Sequence, residues 1–107
     1  MSKYYRGVKL AAVLRCGTSK WGYRHLVSKG RWSTSFGKKI SRTVATGAVD
    51  YQGPGQVIYV DRRNQCPPKE VFRVIVNPGP YNVDHRINPQ GVITAYRPTN
   101  AASATSC

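Results

Sequence analysis

Helical spacing followed by strand alternation predicts an α+β domain, with N-terminal helices packed on one face of a four-stranded antiparallel sheet. Three observations carry that expectation. Up to about residue 46 the apolar side chains recur every three or four positions, beyond Gly47 they alternate, and Gly and Pro fall between the alternating runs. A length of 107 residues leaves room for one modest core and one domain, set at residues 1–100 with a small, polar, frayed tail over 101–107.

Residues 2–15 read as a helix, with Tyr4, Val8, Ala11 and Ala12 at helical spacing and Gly17 as its stop. Thr18 or Ser19 then caps a second helix running to about Lys29. Its apolar stripe is Tyr23, Leu26 and Val27, and the opposite side carries Lys20, Trp21, Arg24, His25, Ser28 and Lys29. Gly30 ends that segment. A third helix starts from a Ser33 or Ser35 cap, and its Phe36, Ile40 and Val44 recur every fourth residue while Lys38, Lys39 and Arg42 face solvent.

After Gly47 the period changes to two. Ala48 to Gln52 and Gln56 to Asp61 flank a Gly53-Pro54-Gly55 turn, which reads as a hairpin. Glu70 to Val76 is the clearest strand, with Phe72, Val74 and Val76 on one face and Val71, Arg73 and Ile75 on the other. Residues 77–90 hold three prolines and read as a long connection. Gly91 to Arg97 is the last strand, with Ile93 and Ala95 on one face and Val92, Thr94 and Tyr96 on the other.

Seventeen Lys and Arg stand against four acids, a formal net charge of +13, and the imbalance is interleaved with aromatics instead of being confined to a tail. The partner of such a folded basic surface is a polyanion. Eleven basic residues and no acid lie between Lys3 and Arg42, so the first forty residues carry most of the attracting field. The longest apolar stretch, Leu10 to Leu14, neither spans a membrane nor forms a signal-peptide core, so no membrane partner is expected. Cys16, Cys66 and Cys107 lack the close spacing of zinc sites, and no metal or cofactor is expected; a Cys16–Cys66 bridge could staple the helices to the sheet.

The chemistry-bearing residues converge on the sheet face left free by the helices. Arg73, Thr94 and Tyr96 would present a cation, a hydroxyl and a phenol there, which suits a phosphate beside a base. His25 supplies an acid or base, since cutting RNA without a metal needs a group that takes the 2′-hydroxyl proton and cations that hold the phosphorane charge. The alternative is a plain surface histidine. Around it, Trp21, Arg24 and Lys29 are candidate substrate contacts, although Trp21 and Trp32 also suit a core. His85, in the long connection, is either a loop histidine or a second proton-transfer group. Glu70 is either a base or a charge partner of Arg73 or Arg97. A module that binds single-stranded nucleic acid without cutting it would share the charge and the aromatics but has no need of the histidine.

Two short stretches, Gly22-Tyr23-Arg24-His25 and Ile93-Thr94-Ala95-Tyr96, together with the order of helices then strands, resemble the toxin domains of bacterial competition systems in the barnase-like, colicin-D-like ribonuclease class. That resemblance implies a metal-independent endoribonuclease giving a 2′,3′-cyclic phosphate, often from tRNA or rRNA. It implies a protein that is secreted or delivered into the cytoplasm of a target cell and blocked by an acidic cognate immunity protein, and a monomer is expected. On the same likeness His25 is a helix-borne catalytic histidine, and Thr94 and Tyr96 are a phosphate-side pair. No glutamate matches the acid-base position of the barnase type.

Overall fold

The computed structural model describes residues 2–63 and 69–97. Cys66, Cys107, the 101–107 tail and the Glu70 side chain lie outside the described residues. The chain begins with strands β1 (Ser2–Arg6) and β2 (Lys9–Leu14), followed by helices α1 (Gly22–Ser28) and α2 (Thr34–Thr46). Four strands complete it: β3 (Ala48–Gly53), β4 (Gln56–Arg63), β5 (Lys69–Asn77) and β6 (Gly91–Tyr96). The last four form one antiparallel sheet in the order β3-β4-β5-β6, and β1 pairs with β2 in a separate ribbon. The α+β class and the four-stranded sheet are therefore as the sequence predicts.

The first expected helix is instead a hairpin. Arg6 pairs with Lys9, leaving Gly7-Val8 as a two-residue turn in which Gly7 has φ +65°. Glycine at the first central position with positive φ is what a type II′ hairpin turn requires, whereas glycine inside a helix costs about 1 kcal/mol. Strand alternation was obscured because Ala12, Val13 and Leu14 are all buried and a register shift falls between Tyr4 and Tyr5.

The second helix is shorter than expected at its start. Thr18 and Trp21 exchange backbone hydrogen bonds of 2.9 and 3.4 Å in a tight loop, so α1 begins only at Gly22. In contrast, α2 follows its pattern. Ser33 is its N-cap, Oγ accepting from the Phe36 N–H at 3.0 Å, and Ile40 and Val44 are fully buried.

One face of the sheet is the core face. Val57, Tyr59, Phe72, Val74, Val76, Val92 and Ala95 pack under Ile40 and Val44 of α2, under Tyr4, Ala12 and Leu14 of the ribbon, and against Leu26 of α1. Burying each such aliphatic side chain contributes about 1.5–3 kcal/mol. The sequence places Val92 with Thr94 and Tyr96, but a bulge in β6 changes that. Val92 pairs with Val76 and Thr94 with Ile75, so Ile93 is the extra residue and Val92 turns to the core. Past the bulge the alternation resumes: Ala95, opposite Val74, is buried, while Thr94 and Tyr96 take the other face.

Candidate active site

Helix α1 lies along the free edge of β6, and its neighbouring residues His25 and Leu26 serve different sides of the sheet. Leu26 is fully buried in the core, while the His25 imidazole reaches Thr94 on the opposite face. The helix is docked by its first turn. The amides of Tyr23 and Arg24 donate to the carbonyls of Arg15 and Cys16, each at 2.9 Å, which satisfies two N–H groups that a helix start leaves open. Beneath this junction Trp21 stacks at a tilt on Tyr81, ring centroids 5.0 Å apart, and Arg15 Nε donates to the Pro89 carbonyl at 2.8 Å. The 77–90 connection thereby braces the segment that carries the histidine.

The imidazole is held at both nitrogens. Nδ1 lies 2.8 Å from the Ser19 carbonyl oxygen, which can only accept, so Nδ1 carries the proton and donates. In the neutral ring Nε2 is then the lone-pair nitrogen, and it accepts from the Thr94 hydroxyl at 3.1 Å. A backbone carbonyl here does what a carboxylate does in many acid–base sites, fixing the tautomer and the ring orientation. The Thr94 oxygen in turn accepts from Arg31 Nη1 at 3.3 Å, and the Arg31 guanidinium lies over the Tyr96 ring, 5.8 Å from its centroid. The result is a directed chain from Arg31 through Thr94 and His25 to Ser19.

Arg31 is the residue that the sequence reading missed. Its place is set by the end of α1. Gly30 (φ +68°) donates to the Val27 carbonyl and Arg31 donates to the Leu26 carbonyl, both at 2.9 Å, which is a Schellman ending with the left-handed glycine at C′. A Schellman ending fixes the residue after the glycine relative to the last helical turn. The signal was present in Lys29-Gly30-Arg31.

Arg73 stands on β5 directly opposite Tyr96, so Arg73, Thr94 and Tyr96 share one sheet face, as the sequence predicts. Asp50 holds Arg73 at 3.5 Å and Arg62 at 2.7 Å. Asp61 pairs with Arg42 at 3.3 Å and Asp84 with Arg86 at 2.9 Å. Each carboxylate whose side chain is described is thus committed to arginine, and none contacts His25. The hydrogen bonds from Arg86 hold the Asp84 carboxyl below its ordinary range.

The other expected contacts divide. Arg24 and Lys29 are exposed on α1 and at its C-cap, beside His25. Trp21, at 4% exposure, is a core aromatic whose ring cannot meet a base from solvent. His85 is exposed in the 77–90 connection, and none of the contacts joining His25, Arg31, Thr94 and Tyr96 involves it. Cys16 is an exposed free thiol; Cys66, its expected partner, lies outside the described residues. Among the described residues no three His, Cys, Asp or Glu side chains gather in a metal-ligand cluster, and no helix is long and apolar enough to cross a membrane.

No known protein family, curated protein or solved structure matches this chain.

Proposed function

We propose that the protein is an endoribonuclease that cleaves RNA by attack of the neighbouring 2′-hydroxyl, with His25 as the base. One observation carries this reading. The Nε2 lone pair of an imidazole, its tautomer fixed by the Ser19 carbonyl, points at a hydroxyl that an arginine also holds, on a sheet face shared with Tyr96 and Arg73.

A phosphate group displacing the Thr94 hydroxyl from Nε2 meets the base and the Arg31 guanidinium at once. His25 Nε2 takes the 2′-hydroxyl proton as the 2′-oxygen bonds to phosphorus. Arg31 holds the charge that develops on the non-bridging oxygens, Thr94 adds a hydroxyl donor to the same oxygens, and Arg73, held by Asp50, adds its field from the same sheet face. The bond from phosphorus to the 5′-oxygen breaks and that oxygen takes a proton from the Tyr96 hydroxyl; the imidazolium then gives its proton to water, and the phenolate takes one back from water, which restores both groups. The products are a 2′,3′-cyclic phosphate and a 5′-hydroxyl. The base, the cations and the proton donor are all side chains of this chain, so the reaction asks for no metal. The formal charge of +13 draws the polyanion to the site.

The test is chemical. With EDTA present, an RNA oligonucleotide is cut to cyclic-phosphate ends, and the same sequence carrying 2′-O-methyl groups stays intact. Equal cutting of DNA overturns the reading, and RNA that is bound but left whole assigns the protein to the non-catalytic binding class.

A further inference from the structure

Beside the proposed catalytic chain, at the C-terminal end of β6, the surface opens into a cleft of about 650 Å³. We propose that this cleft is a nucleotide subsite, holding the residue of a single-stranded RNA that adjoins the scissile phosphate. The proposal rests on the ribonuclease reading and extends it to residues outside the catalytic chain.

The argument begins with charge. Arg31, Lys39 and Arg97 line one concavity, and among the described residues no carboxylate lines it with them. Asp50, Asp61 and Asp84 are engaged by other arginines, and among the described residues no acid pairs with Lys39 or Arg97. Three cations around one hollow repel each other until an anion enters. Phosphate is that anion, since Arg31 already belongs to the chain that ends at His25.

The remaining walls fit a base. Phe36 is half-buried and its ring is fixed by edge contacts with Phe72 at 5.2 Å and Trp32 at 6.4 Å, so it presents a preorganised apolar surface. Tyr96 offers a second aromatic wall, with the Arg31 guanidinium over its ring. Ser33 and Ser35 also line it, and their hydroxyls, 3.1 Å from each other, can turn to meet a base edge or a ribose. The volume lies within the roughly 300–1,000 Å³ of small-molecule sites, and aromatic walls with cations are how single strands are held without duplex geometry. Because Arg31 and Tyr96 belong both to the cleft and to the catalytic group, the occupant is the immediate neighbour of the cut.

The test has a binding arm and a cleavage arm. In the first, the wild-type protein is titrated with nucleoside 3′,5′-bisphosphates and with inorganic phosphate while amide and aromatic NMR signals are followed. Phe36, Lys39, Tyr96 and Arg97 are expected to shift together, with at least one bisphosphate binding about tenfold or more tightly than inorganic phosphate, a difference of about 1.4 kcal/mol. The Lys39→Ser, Arg97→Ser double variant should lose about tenfold of that affinity. Shifts reproduced by phosphate alone, or an unchanged affinity in the double variant, overturn the subsite.

In the second arm the substrate is a DNA oligonucleotide with one ribonucleotide, which fixes the cut. The double variant should raise KM about tenfold with little change in kcat, and should weaken preference for the base beside the cut. Cleavage with KM and preference unaltered in the double variant removes the subsite and leaves the ribonuclease reading standing. Bisphosphate binding in the cleft with no cleavage of any substrate does the reverse.

Discussion

Thr94→Val removes one oxygen from the middle of the proposed catalytic chain while keeping the side-chain shape and its β-branched fit to the strand. Two hydrogen bonds end at that oxygen, one of 3.1 Å to His25 and one of 3.3 Å from Arg31. A hydrogen bond contributes about 0.5–1.5 kcal/mol net, and about 1.5–3 when one group is charged. Arg31 and His25 are only half-buried, so water recovers part of both, and the fold should lose only about 1–2 kcal/mol. Turnover should fall further. Without the hydroxyl the imidazole keeps its Ser19 anchor but loses the contact that aims Nε2, and Arg31 loses one of its two contacts, keeping only its place over the Tyr96 ring. The expected loss is about 10- to 100-fold in kcat, or about 1.4–2.8 kcal/mol of barrier. Urea melts give the stability, and initial rates on the single-ribonucleotide substrate give the activity. Thr94→Ser restores the hydroxyl and should recover most of the rate. A valine variant that cuts at the wild-type rate refutes the assignment of Thr94, as does a serine variant no better than valine.

Three further outcomes follow from other parts of the molecule. Gly30→Ala meets no steric obstacle but forces a left-handed conformation, so it should destabilise by about 1–2 kcal/mol and displace Arg31; melts and rates should show activity falling more than stability, with Gly30→Asn milder. Burial raises the Tyr4 phenol above its ordinary value, a shift partly offset by its hydrogen bond with Ser2. The stability this gives is complete below about pH 10 and is lost as pH rises through the folded value, so denaturation midpoints should drop on the alkaline side and Tyr4→Phe should flatten that drop. Affinity for single-stranded RNA should fall steeply with salt, with a log–log slope of about −2 to −3 if Arg31, Arg73, Lys39 and Arg97 meet three to four phosphates. A slope near zero leaves the basic surface without that role.

The parts of the fold with an unbroken period were legible in the sequence. Phe36, Ile40 and Val44 announced α2, and Phe72, Val74 and Val76 announced β5. The first hairpin was not, because Tyr4, Val8, Ala11 and Ala12 match a helical spacing by coincidence, while the decisive signal was the glycine of Arg6-Gly7-Val8-Lys9 at a two-residue turn. The face of Val92 was lost for a different reason. A bulge is set by pairing with β5 and leaves no local mark, so counting alternate residues from Gly91 gives the wrong side up to Ile93 and the right side after it.

The candidate site was partly legible for similar reasons. His25, Thr94, Tyr96 and Arg73 were found from their chemistry and from strand alternation, and the structure brings His25 into contact with Thr94 across 69 positions of sequence. Trp21 was misjudged because helical spacing cannot tell a residue of the helix from the loop residue before it, and the loop turns this ring against Tyr81. Arg31 was missed because its role depends on how α1 ends, a matter of backbone geometry and not of side-chain period.

The most direct measurement of the central claim is the single-turnover cleavage rate of His25→Ala beside wild type on the single-ribonucleotide substrate in EDTA, with the product ends identified and RNA affinity measured separately. The account predicts cyclic-phosphate ends from the wild type, and for the variant a rate lower by roughly a hundred- to ten-thousand-fold with the fold and the affinity nearly unchanged. A variant that cuts at the wild-type rate would contradict it.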